Sequence, residues 1–210
     1  MIAEPMTMLT DYALAAVTGW LGWRLLRARA MHIARLWWAI ALIALALAAI
    51  LGGSYHGFAP LLGASTLNLL WKAAVLVIGV AALGMMAGSA HATTAGSPRK
   101  LLLVLAAGQF LLYAAWMMGH DDYIFVVADT AAAMAALVIL HAWSYAVRRD
   151  PASAWMLAAV AVSALAAAVQ ASGLALHQDF NHNDLYHVIQ IAAMTLFYTG
   201  AKLLRDHSTD

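Results

Sequence analysis

The sequence predicts an all-α bundle of seven transmembrane helices, N-terminus outside and C-terminus in the cytoplasm. Three observations carry this reading. Of the 210 residues, 65% are hydrophobic and only 10% charged, a balance that a water-soluble domain of this size could not keep off its surface. Seven apolar stretches follow one another, each near the roughly 20 residues needed to cross about 30 Å of hydrocarbon. The basic residues gather at alternate ends of those stretches, which sets the orientation.

The stretches fall at 6–26, 33–58, 66–90, 99–118, 123–147, 153–176 and 184–204, within a single membrane domain spanning 1–210. The first has no basic residue ahead of it and is followed at once by Arg24, Arg27, Arg29 and Arg35, so it reads as a retained helix and not a signal peptide. The second ends in Gly52-Gly53-Ser54-Tyr55-His56. The third carries Lys72, the one basic residue of the eleven that lies away from the cytoplasmic ends of the spans. The other ten lie between spans one and two, three and four (Arg99, Lys100), five and six (Arg148, Arg149), and at the end (Lys202, Arg205). The fourth stretch holds Gln109; the fifth holds Asp129 and, deeper, His141, read as a helix–helix hydrogen bond. The sixth is rich in Ala, which favours close packing. The seventh opens with a polar run.

Several classes are excluded. No cysteine means no disulfide and no thiolate metal site. A net charge of +1, with basic residues at helix ends and no polar stripe, excludes nucleic acid as a partner. No internal repeat marks the two-fold plan of many transporters.

Polar residues inside a bilayer are costly, so each is a functional candidate. Here they gather at the outer face. His56, His120, His177, His182 and His187, five of the nine histidines, lie on that side, together with Asp121, Asp122, Asp179 and Asp184. Imidazoles and carboxylates converging in this way suit zinc. On span seven, Asn183, His187, Gln190 and Met194 share one face, expected to point into the bundle, with Asp184 one turn before His187. The same turn also reads as a plain helix start, with Asn181 or Asn183 as N-cap and Asp184 favourable to the dipole. Lys72 and Asp129 each lie about six residues inside the outer end of their spans, roughly 9 Å at 1.5 Å per residue, so an ion pair between them is expected. His32, His91 and His207 read as solvated.

Gly53-Ser54-Tyr55-His56 and Tyr186-His187 resemble motifs of the CREST superfamily, the seven-helix membrane hydrolases that include alkaline ceramidases and the progestin and adipoQ receptors. The resemblance implies zinc held by one His ending span two and two His opening span seven, assisted by a Ser and an Asp. Ser54 matches the assisting Ser, with one residue before His56 where the family has three. The family's acid in span three falls on Asn68, and its first span-seven His on Asn183. The stretch Asn181-His182-Asn183-Asp184-Leu185-Tyr186-His187 also resembles an uncharacterised bacterial seven-helix family, which points to a bacterial inner membrane.

The leading expectation is a metal-dependent hydrolase of a lipid amide or ester drawn from the membrane. Zinc on His56, His187 and a third ligand, Asp184 or His182, would activate water, and Asp129 or Asp184 would take its proton. The alternative is a proton-linked transporter or permease using Lys72, Asp129 and the histidines as a relay. Haem ligated by His56 and His187 is a third possibility.

Overall fold

The computed structural model describes residues 2–28 and 32–208. Arg29, counted above with the basic residues, lies outside the described residues. Among the described residues there are seven α-helices: α1 (Pro5–Leu26), α2 (Ile33–Phe58), α3 (Ala64–Thr93), α4 (Gly96–Gly119), α5 (Ile124–Arg148), α6 (Pro151–Ser172) and α7 (His182–Ala201). A single 3-10 turn, Ala59–Leu61, follows α2, and no strand occurs among the described residues. Five of the helices, α2 to α6, are long and apolar enough to cross a membrane. The other two carry the polar load: Thr7, Thr10 and Asp11 on α1, and His182, Asn183, Asp184, His187 and Gln190 on α7.

Helix ends follow local chemistry. Pro151 stands in the first turn of α6, whose N-cap Asp150 accepts a hydrogen bond from the Ala152 amide at 3.1 Å. The same helix stops at Ser172, short of the 176 expected, because Gly173 turns left-handed at φ 69° and its N–H returns to the Gln170 carbonyl. α7 starts two residues before the expected 184 on an Asn181 cap and ends at 201 instead of 204.

Short connections make neighbours antiparallel. α1 packs along α2 and α7, α2 along α3, and α7 along α6; α3 carries α4 and α5, and α5 closes against α6. α4 rests mainly on α3, so most of its surface is left for lipid. The centre is built on Trp38 of α2, stacked on Phe197 of α7 with ring centroids 5.0 Å apart, and filled around by Leu42, Leu137, Met156 and Met194. Alanines and glycines between these large groups bring backbones together, which is the main source of helix attraction when the solvent is itself apolar.

Past α7 the chain folds back under three helices. Asp206 accepts from the Ile33 and Ala34 amides, both at 2.8 Å, and so caps the start of α2. Arg35 Nε donates to the Leu204 carbonyl at 2.7 Å, and the His207 amide donates to the His91 carbonyl at 2.9 Å. Arg99 at the start of α4 donates to the carbonyls of Thr94 and His207. Burial, with Arg148 and Arg99 nearby, holds the His207 imidazole below its ordinary range. His207, expected to be solvated, joins this clasp through its backbone N–H and carbonyl, while its side chain stays partly exposed.

Candidate functional site

The site forms at the end of the bundle where α1, α3, α5 and α7 begin. Its foundation is a capping box: Asn181 Oδ1 accepts from the Asn183 amide at 2.8 Å, and Asp184 Oδ2 accepts from the Asn181 amide at 2.7 Å. The helix-start reading of this turn therefore holds, and it does a second thing. With Oδ2 fixed, Asp184 turns Oδ1 toward α1, where Thr10 Oγ1 lies at 3.4 Å.

One turn on, His187 meets two consecutive residues of α1. Its Nδ1 is 3.0 Å from Thr10 Oγ1, and its Nε2 is 3.2 Å from Asp11 Oδ1. All four groups are buried, with Asp184 fully so and Asp11 5% exposed. α2 comes close enough to seal Asp11 because Gly53 faces it; a methyl group there would stand 2.9 Å from Asp11 Cβ. Two buried acids thus share one imidazole and one hydroxyl.

Of these four, Asp11 and His187 line a cavity of about 300 Å³, and Thr10 and Asp184 stand behind them. Asn183, His187, Gln190 and Met194 all line it, so the face read from the α7 spacing does point inward. His56 lines it too, near the mouth, where its Nδ1 lies 3.3 Å from Glu4 Oε2. Tyr55, Trp71 and Tyr123 form an aromatic flank, with Trp71 centred 5.8 Å from Tyr55 and 6.0 Å from Tyr123. Leu45 and Ile78 line the same cavity and also border a second, largely apolar one of about 430 Å³ among α3, α5 and α6.

The Lys72–Asp129 pair expected from matched depth does not form. Lys72 Nζ reaches Asp121 Oδ1 at 2.7 Å and donates to the carbonyls of Met117 and His120. A long apolar stem lets the ammonium move toward the interface, where it satisfies carbonyls left free at the end of α4. Asp129 instead receives Gln109 Nε2 on Oδ1 at 2.9 Å, which joins α5 to α4. Neither residue lines the cavity. Ser54 is also committed elsewhere, donating to the Ile50 carbonyl at 2.7 Å and meeting the Tyr12 hydroxyl at 3.0 Å. His141 makes the helix–helix bonds expected of it, to Ser153 and Ser89; Ser153 passes on to Asp150 at 2.8 Å, an acid that spacing along α5 did not reveal.

The donors do not fit zinc as they stand. Among the described residues no group of three or more His, Asp or Glu is arranged to hold a metal ion. His56 and His187 share the cavity, yet both His187 nitrogens face Thr10 and Asp11, and both Asp184 oxygens serve the cap and Thr10. His182, the first residue of α7, is not among the cavity's lining residues.

Asp11 and Thr10 were missed from the sequence because their stretch reads as apolar overall. The signal was present: Asp11 is the one charged residue between Glu4 and Arg24, and a carboxylate inside a span needs a partner.

The arrangement can move a proton. With neutral His187 protonated on Nε2, the ring donates to the Asp11 carboxylate and its Nδ1 accepts from the Thr10 hydroxyl. Adding a proton at Nδ1 makes both nitrogens donors, so the Thr10 hydroxyl must turn to another acceptor, and Asp184 Oδ1 and the Thr7 carbonyl, at 3.4 and 3.1 Å, are in place. Protonation of His187 is thereby reported to α1 and to the cap of α7.

Fold and site together define a polytopic helical membrane protein with a polar cavity at one end of its bundle. The chain belongs to DUF6962, a family of unknown function, whose model matches residues 6–206. No curated protein and no solved structure matches the chain. None of these comparisons links it to the CREST superfamily.

Proposed function

We propose that the protein is a proton-linked transporter or permease whose relay is Asp11–His187–Thr10–Asp184, in place of the Lys72 and Asp129 relay expected from the sequence. The observation that carries this reading is His187, held between the buried Asp11 carboxylate and the Thr10 hydroxyl that also meets Asp184, on the wall of a cavity large enough for a small ligand. A ligand entering the cavity changes the electrostatics around His187, and a proton taken or lost there changes what the ligand meets. The hydrolase reading has less behind it: a base is present in His187, but Ser54 lies off the cavity and the zinc donors are otherwise engaged.

The cavity opens to the outside of a bacterial inner membrane in this reading, with the C-terminus cytoplasmic. Ten of eleven basic residues at the opposite end support that orientation. Cysteines at Ala59 and Gln178 will react with an impermeant thiol reagent from outside, and one at Ser97 will not; reversed labelling overturns it. The function is tested on proteoliposomes challenged with panels of small amines, carboxylates and neutral solutes, recording transient charge movement and internal pH. We expect at least one class to give a proton-coupled signal that His187→Gln abolishes. Silence toward all classes, with release of fatty acid from a lipid amide or ester, would establish the hydrolase instead.

A further inference from the structure

We propose that the cavity takes a small primary or secondary organic ammonium ion, its nitrogen paired with Asp11 and its apolar body lying toward Leu45, Ile78 and Met194. This deepens the transporter reading and rests on it, since it names the cargo of the same site.

Charge comes first. The cavity wall holds one carboxylate, Asp11, and neither Lys nor Arg. The titratable groups around Asp11 are Glu4 at the N-terminal end, His56 and Tyr55 on α2, Tyr123 before α5, and Asp184, Tyr186 and His187 on α7. Carboxylates outnumber fixed cations in that set, so an anionic ligand would meet repulsion at close range and a cation would be drawn in.

The walls give the second argument. Tyr55, Trp71 and Tyr123 follow one another in the lining with their planes tilted by 48° and 51°, and a cation against the face of one of these rings gains quadrupole attraction that grows when water is excluded.

The third observation separates amines from quaternary ions. Gln190 Oε1 is a buried acceptor with no hydrogen-bond partner among the described residues, and Gln190 lines the cavity. A buried orphan acceptor is costly, and it is satisfied by a ligand N–H. An ammonium ion with two or more N–H groups can serve Asp11 and Gln190 together; a tetraalkylammonium ion can serve neither. Below this level the lining becomes Leu45, Ile78 and Met194, which accepts a hydrocarbon or aryl body.

Proton balance follows. When the ammonium pairs with the Asp11 carboxylate while His187 is imidazolium, it takes the counter-ion that the Nε2–H faced and stands as a second cation beside the ring, so the Nδ1 proton of His187 leaves to solvent and Thr10 turns back to the imidazole. No bond other than that N–H is broken.

The test uses purified full-length protein in detergent, titrated calorimetrically with 2-phenylethylammonium, its N,N,N-trimethyl form, 3-phenylpropionate and 3-phenylpropanol. We expect the primary ammonium to bind about tenfold or more tightly than the trimethyl form and the alcohol, with no binding of the carboxylate. Repeating the titration in buffers of different ionisation enthalpy should show proton release on binding. Asp11→Asn should remove the preference for charge. Should that variant fail to fold, Gln190→Leu is the second probe: it should weaken the primary ammonium and leave the trimethyl form unchanged. Equal binding of ammonium and alcohol, or tighter binding of the carboxylate, overturns the cargo. His187-dependent proton signals with carboxylates or neutral solutes would overturn the cargo alone and leave the transporter standing; silence with every solute would remove both.

Discussion

His187→Leu should lower stability by about 3–5 kcal/mol, because it removes one partner of a buried ion-paired cluster and leaves the other behind. Asp11 would keep its place under Gly53 with nothing to pair its Oδ1, and Asp184 would stand near it across Thr10. The cost lies in the acid left in a dry site more than in the lost contact. Replacing both Asp11 and His187 by Leu should therefore recover much of the loss, since an apolar pair of similar volume needs no hydration. His187→Gln should fall between, because an amide keeps one hydrogen bond to Asp11 or Thr10. Denaturant unfolding in mixed micelles measures all three. Single and double variants matching the wild type in stability would show that the pair contributes nothing.

The second large effect is expected far from the site, at Gly88. A methyl group there would stand 2.5 Å from Trp38 Cδ1 and 2.9 Å from the Ala34 carbonyl oxygen. Backbone cannot yield without moving α2, and Trp38 cannot swing away because it is wholly buried and stacked on Phe197. Gly84, one turn earlier on the same face, meets the Trp37 carbonyl and Ala41, so the two glycines together set how closely α2 and α3 approach. Gly88→Ala should cost about 1–3 kcal/mol, and Gly88→Val more. Gly108→Ala is the control: no atom lies within 4 Å of a methyl group at that position, and the same measurement should show no loss. A Gly88→Ala protein as stable as wild type would mean that the two helices are not held at this spacing.

Much of the fold was legible because lipid writes its requirements in composition. Helices that face hydrocarbon must be apolar over most of their length, which made the seven stretches visible, and a fixed 3.6-residue period made the inward face of α7 visible. Azimuth was not legible in the same way. Lys72 and Asp129 were matched by depth, one coordinate of two, and the structure turns them to different neighbours: the lysine to Asp121 and the end of α4, the aspartate to Gln109. His56 and His187 were correctly placed at one level, but which atoms their nitrogens meet depends on α1, and α1 was read only as a span. Asp11 was hidden by averaging: a single carboxylate among nineteen residues from Pro5 to Trp23 barely changes the apolar character of the stretch, although it decides the chemistry of the cavity. Asp184 shows the converse difficulty. Capping and network roles were treated as alternatives, and one carboxylate fills both, with a different oxygen for each.

The clasp beneath the bundle sets an order of events during synthesis. The first two amides of α2 find their carboxylate in Asp206, 173 residues later for Ile33, so the ribosome must deliver nearly the whole described chain before that helix start is satisfied. Until then α2 sits in the membrane with a frayed beginning, and α3 and α4 lack the tail that joins His91 to Arg99. Final closure is thus a late step that reaches from the last helix back to the second. A nascent chain arrested ahead of residue 206 would hold all seven helices and still lack the fastening that joins them at this end.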